Sequence, residues 1–399
     1  GRTLFDPFLA VLDATGKTLA TCDDSMLRLQ DGVLSLLVPA DGFYQVLVRD
    51  ASWGGADNFV YRLHLGTFPR PSVVYPVGGP AGETTEFTFL GDPKGPWKQS
   101  FTLPSQTVDS TPIIPASEGL TSPSGHRVRV VTFRNILETA DNHQREKATP
   151  ASLSPPFALN GVLGQAQEQD WFSFNAVKQQ PLEIAVYARR LRSPIDSVLT
   201  LVDAKGKTID TNDDGNGPDS ALKWTPEETG VYYLKITDQL RGGGPNYVYR
   251  IEVTPPLPGV TLSIPEVARN DTQSRQFVAI PRGNRMATLI RAKRTSFNGD
   301  LRFEIPKLPS GVSFQAEAMP AGADVMPWVF SSTPEATLEG GFVQPLAVPS
   351  TQTARFRSTF SHTLELVRGN NDQVYYATAN DQLAVAVVQE TPFQLKLEV

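Results

Sequence analysis

Cysteine, histidine and methionine are scarce in this chain: one, four and four of them among 399 residues. The lone Cys22 excludes an intramolecular disulfide. The histidines are His64, His126, His143 and His362, and none has the His-Glu-x-x-His spacing of a zinc hydrolase. There is no Gly-x-Ser-x-Gly elbow and no phosphate-cradling glycine loop. Ser124-Gly125-His126 is adjacency in a Pro/Gly-rich turn, whereas a triad needs convergence in space. No apolar run approaches the roughly 18 residues of a membrane helix. The formal charge of −6 is spread along the chain without a basic tract, so nucleic acid is not an expected partner. No stretch has a sustained helical period of apolar residues. These absences remove the usual signatures of an enzyme, and the expectation is a non-catalytic protein.

What is present is β-structure punctuated by turns. The chain has 31 glycines and 33 prolines. Leu9-Ala-Val-Leu12, Tyr44 to Val48, Val198 to Val202 and Tyr232 to Ile236 are short β-rich runs bounded by Gly, Asp and Pro. Asp13-Ala-Thr-Gly16 and Asp203-Ala-Lys-Gly206 carry tight-turn chemistry between such runs. The predicted class is all-β, a tandem series of antiparallel sandwiches.

The chain also repeats itself. Asp6 to Asp24 reads DPFLAVLDATGKTLATCDD, and Asp196 to Asp214 reads DSVLTLVDAKGKTIDTNDD. Asp31 to Leu65 then aligns with Asp219 to Val253 without a gap, pairing GFYQVLVRDASWGGADNFVYRL with GVYYLKITDQLRGGGPNYVYRI. Similarity this close means two copies of one domain. The later copy has strand-like sequence from Phe157 onward, ahead of Asp196. The earlier copy has only five residues ahead of Asp6. A sandwich without those strands would expose its core and an unpaired sheet edge. The expectation is that Gly1 is a boundary within a longer polypeptide, or that a partner strand fills the gap. A sequence that opens inside a domain also decides nothing about a secretory leader.

Proline punctuation divides the chain into residues 1–68 (the incomplete copy), 69–136, a polar and irregular linker over 137–156, the complete copy over 157–254, and a last module over 255–399. A further strand is expected at Phe393–Leu397.

The complete copy resembles the bacterial pre-peptidase C-terminal domain, a secreted β-sandwich module. The matching residues are Asn160-Gly161, Asp170-Trp171-Phe172-Ser173-Phe174, Leu199 to Asp203 with Gly206, Asn212-Asp213-Asp214, Asp219-Ser220, Gly230-Val-Tyr232-Tyr233 and Tyr249-Arg250. Tyr75-Pro76-Val-Gly78-Gly79 with Gly82-Glu83 resembles a TIG-type immunoglobulin-like module. Phe297-Asn-Gly299 with Leu308-Pro-Ser-Gly311-Val312 resembles a second immunoglobulin-like type. Such alternation is similar to that of large secreted proteins of planctomycete-type bacteria. The resemblance implies an extracellular, cell-surface or periplasmic location and no catalytic centre.

Two acidic constellations are candidate calcium sites, because calcium takes six to eight oxygens on a flexible frame. The first is Asp213, Asp214 and Asp219 in the glycine-rich loop Asn212 to Ser220, with Asp196 ahead of the neighbouring strand. Asp and Asn also cap turns through their own backbone amides, and both readings stand. The earlier copy keeps Asp23, Asp24 and Asp31 but replaces the middle of the loop, so it should bind a cation less well. The second comes from the resemblance. Collagen-binding relatives bind calcium through a linker of the form Glu-x-Glu-Pro-Asn-Asp and aspartates of the body. Glu138 and Asn142 match that form, Ala140 and His143 replace two of its carboxylates, and Asp170 is the implied body partner. Losing two carboxylates should weaken affinity.

Two features remain open. Arg189, Arg190 and Arg192 read as a phosphate patch or as a solvated strand end. Trp171 and Trp53 read as a sugar-stacking platform or as packing under a loop. The expected role is spacing, adhesion or assembly within a longer parent chain. The alternative is an accessory region that holds a polysaccharide or matrix protein near a hydrolase domain. Expected partners are neighbouring modules of that chain, another copy completing the first domain, or an extracellular polymer.

Overall fold

The computed structural model describes residues 5–26, 30–215, 217–265, 276–351, 356–368 and 373–391. Asn216 and the expected strand at Phe393–Leu397 lie outside them. The described residues are almost entirely strand and turn, the all-β class that alternation in the sequence predicts. The chain forms two units, Phe5–Pro256 and a second from Leu257 onward.

The first unit begins with a three-stranded sheet of β1 (Pro7–Leu12), β2 (Thr18–Cys22) and β3 (Gln45–Asp50), ordered β2-β1-β3. The β1–β2 turn forms because the Asp13 carboxylate accepts the amides of Thr15 and Lys17, at 2.9 and 3.0 Å. Gly16 takes φ +86°, where a side chain would be strained.

A small module of eight strands follows: β4 (Val73–Tyr75), β5 (Gly78–Pro80), β6 (Thr84–Leu90), β7 (Trp97–Thr102), β8 (Val108–Ile113), β9 (Ala116–Ser117), β10 (Leu120–Thr121) and β11 (His126–Val131). Sheets β4-β6-β7 and β5-β11-β8 enclose Phe87, Phe89, Leu103, Val128 and Val130.

The complete copy of the repeat is a sandwich of two five-stranded sheets. Its strands are β12 (Asn135–Leu137), β13 (Thr149–Pro150), β14 (Phe157–Val162), β15 (Gln169–Ala176), β16 (Leu182–Tyr187), β17 (Ser197–Val202), β18 (Thr208–Asn212), β19 (Ala221–Trp224), β20 (Gly230–Asp238) and β21 (Val248–Thr254). The sheet orders are β12-β14-β21-β16-β19 and β13-β15-β20-β17-β18. Alternate residues from both, among them Phe172, Phe174, Leu199, Leu234, Ile236 and Ile251, form the core. The stretch expected to be a linker does more than connect. Leu137 ends β12, which adds to one sheet edge in parallel with β14, and β13 adds to the other in parallel with β15.

The two copies can be compared strand by strand. Sheet order β2-β1-β3 repeats β18-β17-β20, and in the complete copy β15 then covers the free side of β20. Among the described residues nothing pairs with that side of β3. Residues 60–65, the counterpart of β21, form no strand. Tyr61 and Leu65 are 62% and 77% exposed, while their counterparts Tyr249 and Val253 are fully buried. Residues 5–66 therefore do not close into a sandwich.

The small module and the complete copy share a packed junction of Val73, Val77, Leu191 and Val248, with Tyr75 and Tyr187 against them.

The second unit has a five-stranded sheet in which Arg285–Thr295 lies between Gly259–Ser263 and Val325–Ser332. A smaller sheet has Leu383–Val388 at its centre, between Phe277–Pro281 and Gly340–Val343. Trp328, Phe330, Ile290, Val278 and Leu383 are buried between them.

Candidate metal centre

Two carboxylates and a histidine, Glu168, Asp170 and His143, converge where the stretch after β12 meets the start of β15, and Glu138 stands beside Asp170. Asp170 is the second residue of β15 and alternates with Trp171, so it faces inward and is fully buried. Its Oδ2 accepts the Tyr249 hydroxyl of β21 at 2.7 Å. Its Oδ1 lies 3.2 Å from His143 Nδ1. Glu168, two residues earlier and on the same side, lies 3.6 Å from that nitrogen. It also closes its own loop, accepting the amides of Gly164 and Gln165 at 3.0 and 3.1 Å. Glu138 follows β12. Its Oε1 accepts the Val162 amide at 2.9 Å, and the Tyr249 hydroxyl is 3.5 Å from its Oε2. Gly161 makes room for this meeting, since a Cβ there would collide with the Tyr249 hydroxyl and the Glu138 carboxylate.

The electrostatics are those of a site short of positive charge. Burial, then the facing Asp170, pushes the Glu138 carboxyl far above the usual carboxylate range. Burial raises Asp170 too, against the hydrogen bonds of Tyr249 and His143. A divalent cation would relieve both, and the donors are mainly hard oxygens, which suits calcium. His143, Glu168 and Asp170 would hold it, their ligand atoms lying within 4.8 Å of one another, with Glu138 at the edge.

Of the residues read from sequence, Glu138 and Asp170 come together here. Asn142 is buried beside them, its carbonyl accepting the Trp171 amide at 2.9 Å. Glu168 and Tyr249 escaped the sequence reading. Glu168 was detectable as the acid two positions before Asp170 at a strand's start.

The loop constellation does not assemble in the same way. Asp219 is fully buried, but its carboxylate accepts the amides of Arg189 and Arg190, at 2.8 and 3.3 Å, and Arg190 Nε at 2.7 Å. Asp213 accepts the Asp214 amide, and both are exposed. Asp196 pairs with Arg189 at 3.4 Å. Among the described residues these four acids form no cluster of three ligand atoms. In the earlier copy Asp6, Asp23 and Asp24 do approach one another. Burial, then Asp24 and Asp23, raises the Asp6 carboxyl. Trp53 is 79% exposed, with the Arg49 guanidinium 4.1 Å over its ring.

The fold and site define a class, a tandem β-sandwich protein with an acidic centre between a sandwich and the segment leading into it. No protein-family model matches the chain. It is 32% identical over 97 residues to a probable subtilase-type serine protease of Deinococcus radiodurans, covering 24% of this chain and 13% of that protein. Among solved structures, it is similar to the pre-peptidase C-terminal domain of a Bacillus anthracis collagenase at 20% identity. That likeness covers 28% of this chain and all of that one, with a TM-score of 0.23. It is also similar to domains 1–6 of the surface layer protein SbsC at 10% identity, covering 96% of this chain and 50% of that one, with a TM-score of 0.19.

Proposed function

We propose that this chain is a non-catalytic segment of a larger secreted or cell-surface bacterial protein. Its sandwiches space and attach other parts of that protein, and a structural calcium ion at His143, Glu168 and Asp170, beside Glu138, stiffens the passage between two of them. The observation that carries this reading is the Glu138–Asp170 pair. Two carboxyls buried side by side, both held above their ordinary range, are costly without a cation. Glu138 comes from the passage and Asp170 from the sandwich, so one ion would fasten one to the other. Neighbouring modules of the parent chain are the natural partners.

Calorimetric titration of calcium into metal-free protein tests this. The expected result is a binding heat that Glu138→Gln removes, with a rise in Tm. No heat and an unchanged Tm at millimolar calcium would sink it.

The second reading, an accessory region holding polymer near a hydrolase domain, is favoured by the 97-residue likeness to a probable serine protease. A binding array of glycans and matrix proteins tests it, and silence across the array favours spacing or assembly.

A further inference from the structure

Asp170 and Trp171 are neighbours on β15 that face opposite ways. Asp170 points to the acidic centre, and Trp171 lies on the outer face of its sheet. Across the ladder Trp171 is opposite Lys235, and Lys235 is opposite Thr200. A 3-10 turn, Arg145–Lys147, lies near this face, with the Arg145 guanidinium 5.7 Å from the Tyr233 ring. Between turn and sheet is an open cleft of about 450 Å³. Gln169, Trp171 and Lys235 line it from the sheet, Arg145 and Glu146 from the turn, and Thr208 from β18.

The lining selects a ligand by chemistry. Glu146 is 3.3 Å from Arg145, so these two charges answer each other. Lys235 has no carboxylate partner among the described residues, and its ammonium lies 5.8 Å from the Trp171 ring. The Trp171 indole N–H is buried without an acceptor. Two glutamine amides and a threonine hydroxyl supply donors and acceptors, and Val202 is the one aliphatic side chain. An apolar ligand would leave the ammonium desolvated and unpaired. A bare inorganic anion would leave the indole face unused. A sugar ring bearing a carboxylate uses each part: the ring against Trp171, the acid on Lys235, the hydroxyls on the amides.

We propose that this cleft binds a uronic acid residue of an acidic polysaccharide. The proposal deepens the accessory-region reading above and rests on it. The test is calorimetric titration with tetragalacturonate and with its methyl ester, which keeps the shape and removes the charge, each with and without calcium. The acid is expected to bind about tenfold more tightly than the ester, as one charge-assisted contact predicts. Lys235→Gln should remove that preference while leaving affinity for the ester unchanged. Lys235 is only partly buried, so this variant keeps the test valid should Trp171→Ala fail to fold. Equal affinity for acid and ester, an unchanged Lys235→Gln variant, or no binding of either sugar would overturn the proposal. A signal on the glycan and matrix-protein array without a sugar heat overturns the cleft alone, whereas silence on both overturns the cleft and the accessory-region reading together.

Discussion

The Arg129 guanidinium grips the Glu252 carboxylate with two hydrogen bonds, at 2.7 and 3.2 Å, where the small module meets the complete sandwich. Glu252 also receives Arg250 Nε at 2.7 Å, and Arg250 reaches Asn135 at 2.6 Å. Asn135 in turn donates to the Gly78 carbonyl at 2.7 Å. All three charged groups are buried; Arg129 also reaches the exposed Asp109 at 2.9 Å, whereas among the described residues Glu252 is the carboxylate that Arg250 pairs with. Glu252→Gln therefore leaves the buried Arg250 without its carboxylate and Arg129 with Asp109 alone, with an expected loss of about 3–5 kcal/mol by urea denaturation. Arg129→Met leaves the Arg250–Glu252 pair intact and should cost less. Equal losses would mean that the network is not centred on Glu252.

The acidic centre makes stability depend on pH with a definite sign. Glu138 and Asp170 hold protons more tightly folded than unfolded. Their contribution is full below the unfolded carboxyl values and is lost as pH rises through the raised folded ones. Metal-free protein should therefore melt at lower temperature as pH climbs from the ordinary carboxyl range toward neutrality and above. Calcium should cancel the fall, and Glu138→Gln should flatten it. Scanning calorimetry across that range is the check.

Asp219 is held by the Arg189 and Arg190 amides and the Arg190 side chain. Asp219→Ala leaves the Arg189 and Arg190 amides without their acceptor, and about 2–3 kcal/mol should be lost. The calcium heat should survive the substitution. Its disappearance would return the loop to candidacy as a metal site.

Backbone protection should differ between the two copies. Amides of Val248–Val253 sit in a central strand paired on both sides and should exchange slowly. Amides of their counterparts, residues 60–65, should exchange at rates near those of an open chain. Hydrogen exchange read by mass spectrometry decides this, and equal protection in both would show that another segment covers the first sheet.

Much of this was written locally. The alternation of β17, the Asp-x-x-Gly turns and the repeat itself are legible because each depends on residues adjacent in sequence or on direct comparison of two stretches. Such local features set the all-β class before any contact is known. What the sequence could not show depended on long-range pairing. Asp219 reads in sequence as a loop acid, and only the fold brings Arg190, distant in sequence, onto its carboxylate. Glu168 carries no motif of its own, and only the fold sets it beside His143 and Asp170. The stretch over 137–156 looked like a linker because edge strands two or three residues long have no periodicity to read. Only the sheets they extend make them strands. Burial and partners belong to the assembled sandwich, so tertiary structure alone decided which acids gather and which are already paired.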